Sequence, residues 1–317
     1  MGGRCSLSRG RVARLLLLAL AAWIALSLVV FLVSAQIQQG KVADATSAAL
    51  GGGGVPPFSP TTVLVLGSDQ RTKATREPGA STSGPSRSDS ILLLRIGGGH
   101  NARLSIPRDT VVDIPGSGTN KINAAFAIGG SALAVKTVER YLGLQVNHLV
   151  EVSFDNFPDL IDALGGVDYS GGCVVSKING GFKNGGFTLR LKRGTTRLNG
   201  KQALALARTR HNLCNAREDD RTRARRQQKI FAAMKGRLVS PGAFVRAPLV
   251  SWSAPKALRS DMSGPTLLGL FAALATSGSP APRILRPSSD VTLPDGGSGL
   301  IVSDAERRRA VRRFLQG

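Results

Sequence analysis

The runs "TTVLVLGSD" (61–69), "SILLLRI" (90–96) and "ARLSIPRD" (102–109) decide the fold class. Each is short, rich in β-branched and other aliphatic residues, and bounded by turn formers, which predicts strands. "GGGHN" joins the second to the third as a turn. Three closely spaced strands predict a sheet core. Between the first two lie residues 70–88, rich in Ser, Thr, Gly, Pro and charge, which read as a long loop over a site.

Beyond the strands the pattern turns helical. Ser131 can cap "ALAVKTVERYL", in which Ala134, Val138, Tyr141 and Leu142 share one apolar face and Gly143 supplies a stop. "NHLVEVSF" then reads as a strand. Asp155 or Asn156 caps a helix through Leu164, ended by Gly165 and Gly166. Residues 180–200 form a glycine-rich, hairpin-like region with a strand in "GGFTLRLKRG", and helices follow at 200–209 and 216–237. In the tail, "TLLGLFAALA" is too short to span a bilayer and reads as a helix packed on the sheet. "SDAERRRAVRRFL" is a capped basic helix with a solvated arginine face. The alternation predicts an α/β or α+β domain with a central sheet flanked by helices.

Ahead of this domain, Arg4, Arg9, Arg11 and Arg14 precede "LLLLALAAWIALSLVVFLV" (15–33), an uncharged run long enough to cross a bilayer as a helix. Val33-Ser34-Ala35 resembles a signal cleavage site, but the apolar run exceeds the usual signal length, so a retained anchor is expected. Basic flanking residues predict a cytoplasmic N-terminus, residues 1–14. Residues 34–60, ending "GGGGVPPFSP", read as a Gly/Pro-rich linker, and residues 61–317 as the extracytoplasmic domain.

The formal charge is +22; residues 1–35 carry four of those charges and no acid, so +18 remains on the exported part. Such a surface attracts polyanions, and export excludes an intracellular nucleic-acid role. Cys5 lies on the cytoplasmic side, whereas Cys173 and Cys214 form an even exported pair, which predicts a disulfide. Two cysteines and three scattered histidines give no zinc spacing.

The densest charge lies in "RTRHNLCNAREDDRTRARRQQ" (208–228). On a helix, Asp220, Arg223 and Gln227 share one face while Ala224, Phe231 and Met234 can pack on another. Arg208 and Arg210 flank the same place if the connection folds back. Converging guanidiniums need an anion, and their planar fork suits phosphate oxygens. "LGSDQR" and "SRSDS" place Asp69, Arg71, Arg87 and Asp89 at strand ends, and "SIPRD" adds Arg108 and Asp109. Arginine beside aspartate at three strand ends suits a magnesium pyrophosphate site; ordinary surface ion pairs would look the same in any one cluster.

In order, "LGSD", "RSDS", "SIPRDTVVDIPG", "TNKINAAFAIGG", "LIDALGGVD", "GKQALALARTRH" and "DDRTRARRQQ" resemble the LytR-CpsA-Psr family of membrane-anchored phosphotransferases over residues 61 to 235. The resemblance implies transfer of a glycopolymer from a polyprenyl-pyrophosphate carrier to peptidoglycan through a phosphodiester, outside the cytoplasmic membrane. It places Asp69 and Asp89 near Mg2+ (or Mn2+). Arg108, Asp109, Arg208, Arg210 and Arg223 become the catalytic set, and Arg71, Arg87, Lys121, Arg226 and Gln227 contact the pyrophosphate. Ser90 stands where the family's motif has threonine and keeps the hydroxyl. The apolar face of helix 131–142 could line a prenyl channel or simply pack.

The pyrophosphate would carry the energy for transfer, and no nucleotide-binding GxxxxGK[ST] run is present. Metal and arginines would stabilise charge on the transferred phosphoryl and the departing polyprenyl phosphate, with Asp89 or Asp109 accepting the proton. A polyprenyl-pyrophosphate pyrophosphatase or a noncatalytic binder of anionic wall polymer would draw on the same features.

Overall fold

A computed structural model describes residues 9–68, 88–153, 156–178, 187–209, 212–215, 220–278, 283–294 and 296–317. The chain opens with the apolar helix α1 (Arg9–Ile37), the short strand β1 (Gly40–Lys41) and a single turn, α2 (Asp44–Ser47). Strands β2 (Thr61–Ser68), β3 (Ser88–Gly97) and β4 (His100–Ile106) follow, then the hairpin β5 (Val111–Ile114) and β6 (Gly118–Lys121) and helix α3 (Ile122–Leu142). Next come β7 (His148–Ser153), α4 (Phe157–Ala163), β8 (Val167–Gly171), β9 (Val174–Ile178), β10 (Phe187–Leu191) and β11 (Gly194–Leu198). Helices α5 (Gly200–Arg208), α6 (Asp220–Leu238), α7 (Pro241–Val245) and α8 (Ala247–Lys256) lead to β12 (Leu258–Ser260) and α9 (Gly264–Thr276). The chain closes with β13 (Arg283–Ile284), β14 (Ser289–Thr292), β15 (Ser298–Ile301) and α10 (Asp304–Gln316).

Among the described residues the main sheet has seven strands in the order β1-β12-β7-β2-β3-β4-β13. It is mixed: β2–β3, β3–β4 and β7–β12 run antiparallel, while β2–β7, β1–β12 and β4–β13 run parallel. Alternate side chains of the central strands feed two cores. Leu64, Leu66, Leu93 and Leu104 belong to a cluster with α3 and α10, and Val63, Leu92, Leu94 and Val150 to one with α8 and α9. β2 is therefore covered on both faces, which is why its sequence is an unbroken apolar run. Burying each of these aliphatic side chains contributes about 1.5–3 kcal/mol. A third cluster joins α4 and α5 to the ribbons β8–β11 and β9–β10.

Three sequence expectations change. The helix placed after Ser131 starts at Ile122 and is broken at Gly129 and Gly130; Gly130 has φ +61°, a conformation that glycine adopts without a Cβ penalty. Ser131 does not cap; its hydroxyl donates to the Glu151 carboxylate on β7. Asn156 precedes α4 but leaves it uncapped, its amide donating to the Lys256 carbonyl instead. Residues 34–60 are more than a linker, because β1 adds to the sheet edge and Val42, Ala49 and Leu50 pack on the α3 cluster. The helix that contains the apolar run 15–33 extends from Arg9 to Ile37.

Candidate functional site

The strand directions bring one end of the sheet together around the first turns of α6. β2 ends at Ser68, β3 begins at Ser88, and Arg108 follows β4 directly. Gln228 on α6 reaches the sheet, its Nε2 donating to Ser105 Oγ at 2.5 Å and to the Arg283 carbonyl at 3.1 Å. A small polar pocket results, lined by Ser90, Ser105, Arg108, Arg223, Ala224 and Gln227. Sheet and helix thus each contribute one guanidinium, Arg108 and Arg223. Arg223 is 4% exposed.

Asp109 lies between two cations. Arg108 Nε donates to its Oδ2 at 3.2 Å, and Lys121 Nζ stands 3.8 Å from its Oδ1. All three are partly exposed, so the triad is held near the surface. Arg208 is the last residue of α5. The α5–α6 junction is tied by Gln227 Nε2 donating to the Ala207 carbonyl at 3.2 Å and Arg226 Nη1 donating to the Thr209 carbonyl at 3.0 Å.

Arg226, expected at the pyrophosphate, does not line this pocket. Its guanidinium is buried toward Thr209 and Tyr169, and burial pushes its pKa down while burial pushes the Tyr169 phenol up. An arginine keeps its charge through such a shift, so Arg226 acts as a cationic strut in the wall. Asp69, Arg71, Arg87 and Arg210 lie outside the described residues; Asp89 is placed in β3 by its backbone.

Cys173 and Cys214 form a disulfide, with Cα atoms 5.9 Å apart. Around it, Asn212 accepts from the Val175 and Cys214 amides and donates to the Cys173 carbonyl. The bridge and these bonds hold residues 212–214 against the start of β9.

Sequence reasoning missed the apolar half of the site. A cavity of about 170 Å³ runs between the sheet and α6, walled by Val65, Leu92, Val150, Phe231, Met234 and Phe271. Ser90, Ser105 and Gln227 border both this cavity and the polar pocket, so the two adjoin. Phe231 and Met234 are not on a separate face from Arg223 and Gln227. Positions 223, 227, 231 and 234 follow one stripe, because steps of four and three residues return to the same side of a helix. The α3 face is not a channel: Ala134, Val135, Val138 and Leu142 fill the core on the opposite side of the sheet.

These features define an α/β domain in which a pocket bearing Arg108 and Arg223 adjoins an apolar cavity. Residues 35–284 match the model of the LytR_cpsA_psr family, and the chain belongs to that family. It is 29% identical over 260 residues to the regulatory protein MsrR of Staphylococcus aureus, covering 80% of this chain and 73% of that protein. It is 33% identical over 179 residues to TagU of Bacillus mycoides, named a polyisoprenyl-teichoic acid–peptidoglycan teichoic acid transferase, covering 56% of this chain and 52% of that one. Among solved structures, B. subtilis TagV superposes with a TM-score of 0.64 at 26% identity, covering 81% and 96% of the two chains. TagT bound to LIIa-WTA does so with a TM-score of 0.64 at 25% identity, covering 87% and 98%.

Proposed function

We propose that this chain transfers a glycopolymer from a polyprenyl-pyrophosphate carrier to peptidoglycan, forming a phosphodiester. One observation carries the reading: the apolar cavity and the arginine pocket adjoin, with Ser90, Ser105 and Gln227 in both linings. A prenyl chain suits the first and a pyrophosphate the second. The transferase activity for which the TagU relative is named and the LIIa-WTA bound by TagT point to the same chemistry.

In the proposed reaction an acceptor hydroxyl attacks the phosphorus bearing the glycan. The P–O bond to the second phosphate breaks and polyprenyl phosphate leaves. Arg108 and Arg223 neutralise the phosphoryl oxygens as charge shifts onto the leaving phosphate. Asp109, oriented by Arg108 and Lys121, or Asp89 takes the hydroxyl proton.

A divalent ion, Mg2+ or Mn2+, belongs to the proposal through Asp69 and Asp89. Among the described residues no group of three His, Cys, Asp or Glu could hold one, and Asp109 is already engaged by two cations, so no step is routed through it. α1 is long and apolar enough to cross a membrane. With the arginines at its N-terminal end, we place that end in the cytoplasm and the domain outside.

Incubating the full chain with polyprenyl-pyrophosphate glycan, Mg2+ and peptidoglycan tests the assignment. Linked polymer is the expected product. Free phosphorylated glycan with water as acceptor identifies a pyrophosphatase, and binding without turnover a wall-polymer anchor. Turnover persisting in excess chelator removes the metal from the proposal.

A further inference from the structure

α1 does not leave the domain when its apolar run ends. Trp23, in the middle of that run, donates from its indole Nε1 to the Phe244 carbonyl on α7 at 3.0 Å. Ser34 Oγ donates to the Trp252 carbonyl on α8 at 2.7 Å, and Phe31 packs edge-on against Phe271 of α9. Ser27, Phe31, Ser34 and Ala35 are buried by these contacts, so the second half of α1 lies along α7, α8 and α9.

The membrane geometry then constrains α7 and α8. Roughly 14 Å of helix separates Arg14 from Trp23 at 1.5 Å per residue. The hydrocarbon of a bilayer is about 30 Å thick, so the crossing must continue past Trp23 for about ten more residues. Sliding α1 the other way would draw Arg14 and Arg11 into the hydrocarbon, which is costly. The segment beside that second half carries large apolar side chains facing outward: Phe244 is 47% exposed, Val245 69%, Leu249 59% and Trp252 44%. Residues 237–259 around α7 and α8 carry Arg237, Arg246, Lys256 and Arg259 and no acidic residue, a balance suited to anionic headgroups.

We infer that α7 and α8 are sunk in the bilayer leaflet on the domain's side of the membrane, with Phe244, Val245, Leu249 and Trp252 among the acyl chains. The domain is then held to the membrane by a wedge as well as by its anchor. This inference stands apart from the transfer reaction and is tested without turnover.

The chain has two tryptophans, Trp23 and Trp252, so Trp23→Phe leaves one reporter on α8. The variant is reconstituted in phosphatidylcholine–phosphatidylglycerol vesicles whose acyl chains are brominated near the headgroup. The expected result is loss of about half of the Trp252 emission to bromine, with little loss to aqueous iodide. Emission quenched by iodide and untouched by bromine overturns the inference, as does emission protected from both, which would mean burial by protein. Where Trp23→Phe fails to insert, the unaltered chain is reconstituted with diazirine-bearing phosphatidylcholine. Crosslinks on residues 239–252 uphold the wedge, and their absence beside labelled α1 refutes it.

Discussion

Arg226 Nη1 donates to the carbonyl of Thr209 at 3.0 Å, joining α6, which carries Arg223, to the residue just after Arg208. Both partners are buried, Arg226 at 4% and Thr209 at 1% exposure. Arg226→Met keeps the aliphatic stem but strands the Thr209 carbonyl. It is expected to cost about 2 kcal/mol, since a buried bond from a charged donor is lost. Denaturant titration of the variant checks this. A loss of transfer activity with unchanged stability would instead give Arg226 direct contact with the pyrophosphate.

Arg108 tests the chemistry with less risk to the fold. Its side chain is 21% exposed and its ion pair with Asp109 is worth little to stability. Arg108→Ala is expected to lower transfer by about 100-fold, the usual effect of removing one donor to developing charge. The thermal midpoint should scarcely move. Arg223 is buried, so Arg223→Lys is the matching change there, keeping a charge while removing the planar fork.

The disulfide spans a sequence separation of 41. In the chain-entropy model a loop of that size contributes about 4 kcal/mol. Replacing both Cys173 and Cys214 by serine should lower the thermal midpoint and loosen residues 212–215. Alkylation of unreduced protein from cells, followed by mass spectrometry, should find both thiols blocked. Two free thiols would contradict the bridge.

His148 sets a pH dependence. Burial pulls its pKa down, but the Asp261 carboxylate at 2.6 Å and the Gly54 carbonyl more than offset this, leaving the pKa raised. Asp261 also accepts from the Leu149 amide, so the pair clamps the turn after β12 to β7. A raised histidine pKa stabilises fully below the unfolded value of about 6.5 and is lost as pH rises through the folded value. His148→Gln is therefore expected to lower the thermal midpoint most near pH 6, with the gap from the unaltered chain narrowing at higher pH. A gap that does not vary with pH would show that the pair does not titrate.

The central strands were legible because β2, β3 and β4 are local, apolar and separated by strong turn formers. The edge strands β1, β12 and β13 were not, since two or three residues carry no period and gain strand form only from the neighbour they meet. Arg108, Arg223 and Gln227 could be grouped from helix spacing and motif order. The cavity could not, because its walls come from Val65, Val150, Met234 and Phe271, which are far apart in sequence and look like core in each local window. Gly129 and Gly130 were visible, but they interrupt a helix whose first turns, from Ile122, carry no strong start signal.

α6 is also a graduated scale. Guanidinium at 223, amide at 227, ring at 231 and thioether at 234 follow one another over roughly 17 Å of helix. A side-chain replacement alters one mark on that scale. Deleting a single residue between Gln227 and Phe231 would instead turn everything beyond it by about 100°. Arg223 and Gln227 would then face a different side from Phe231 and Met234, with composition almost unchanged. Evolution along this helix is thus freer to exchange residues than to add or remove them.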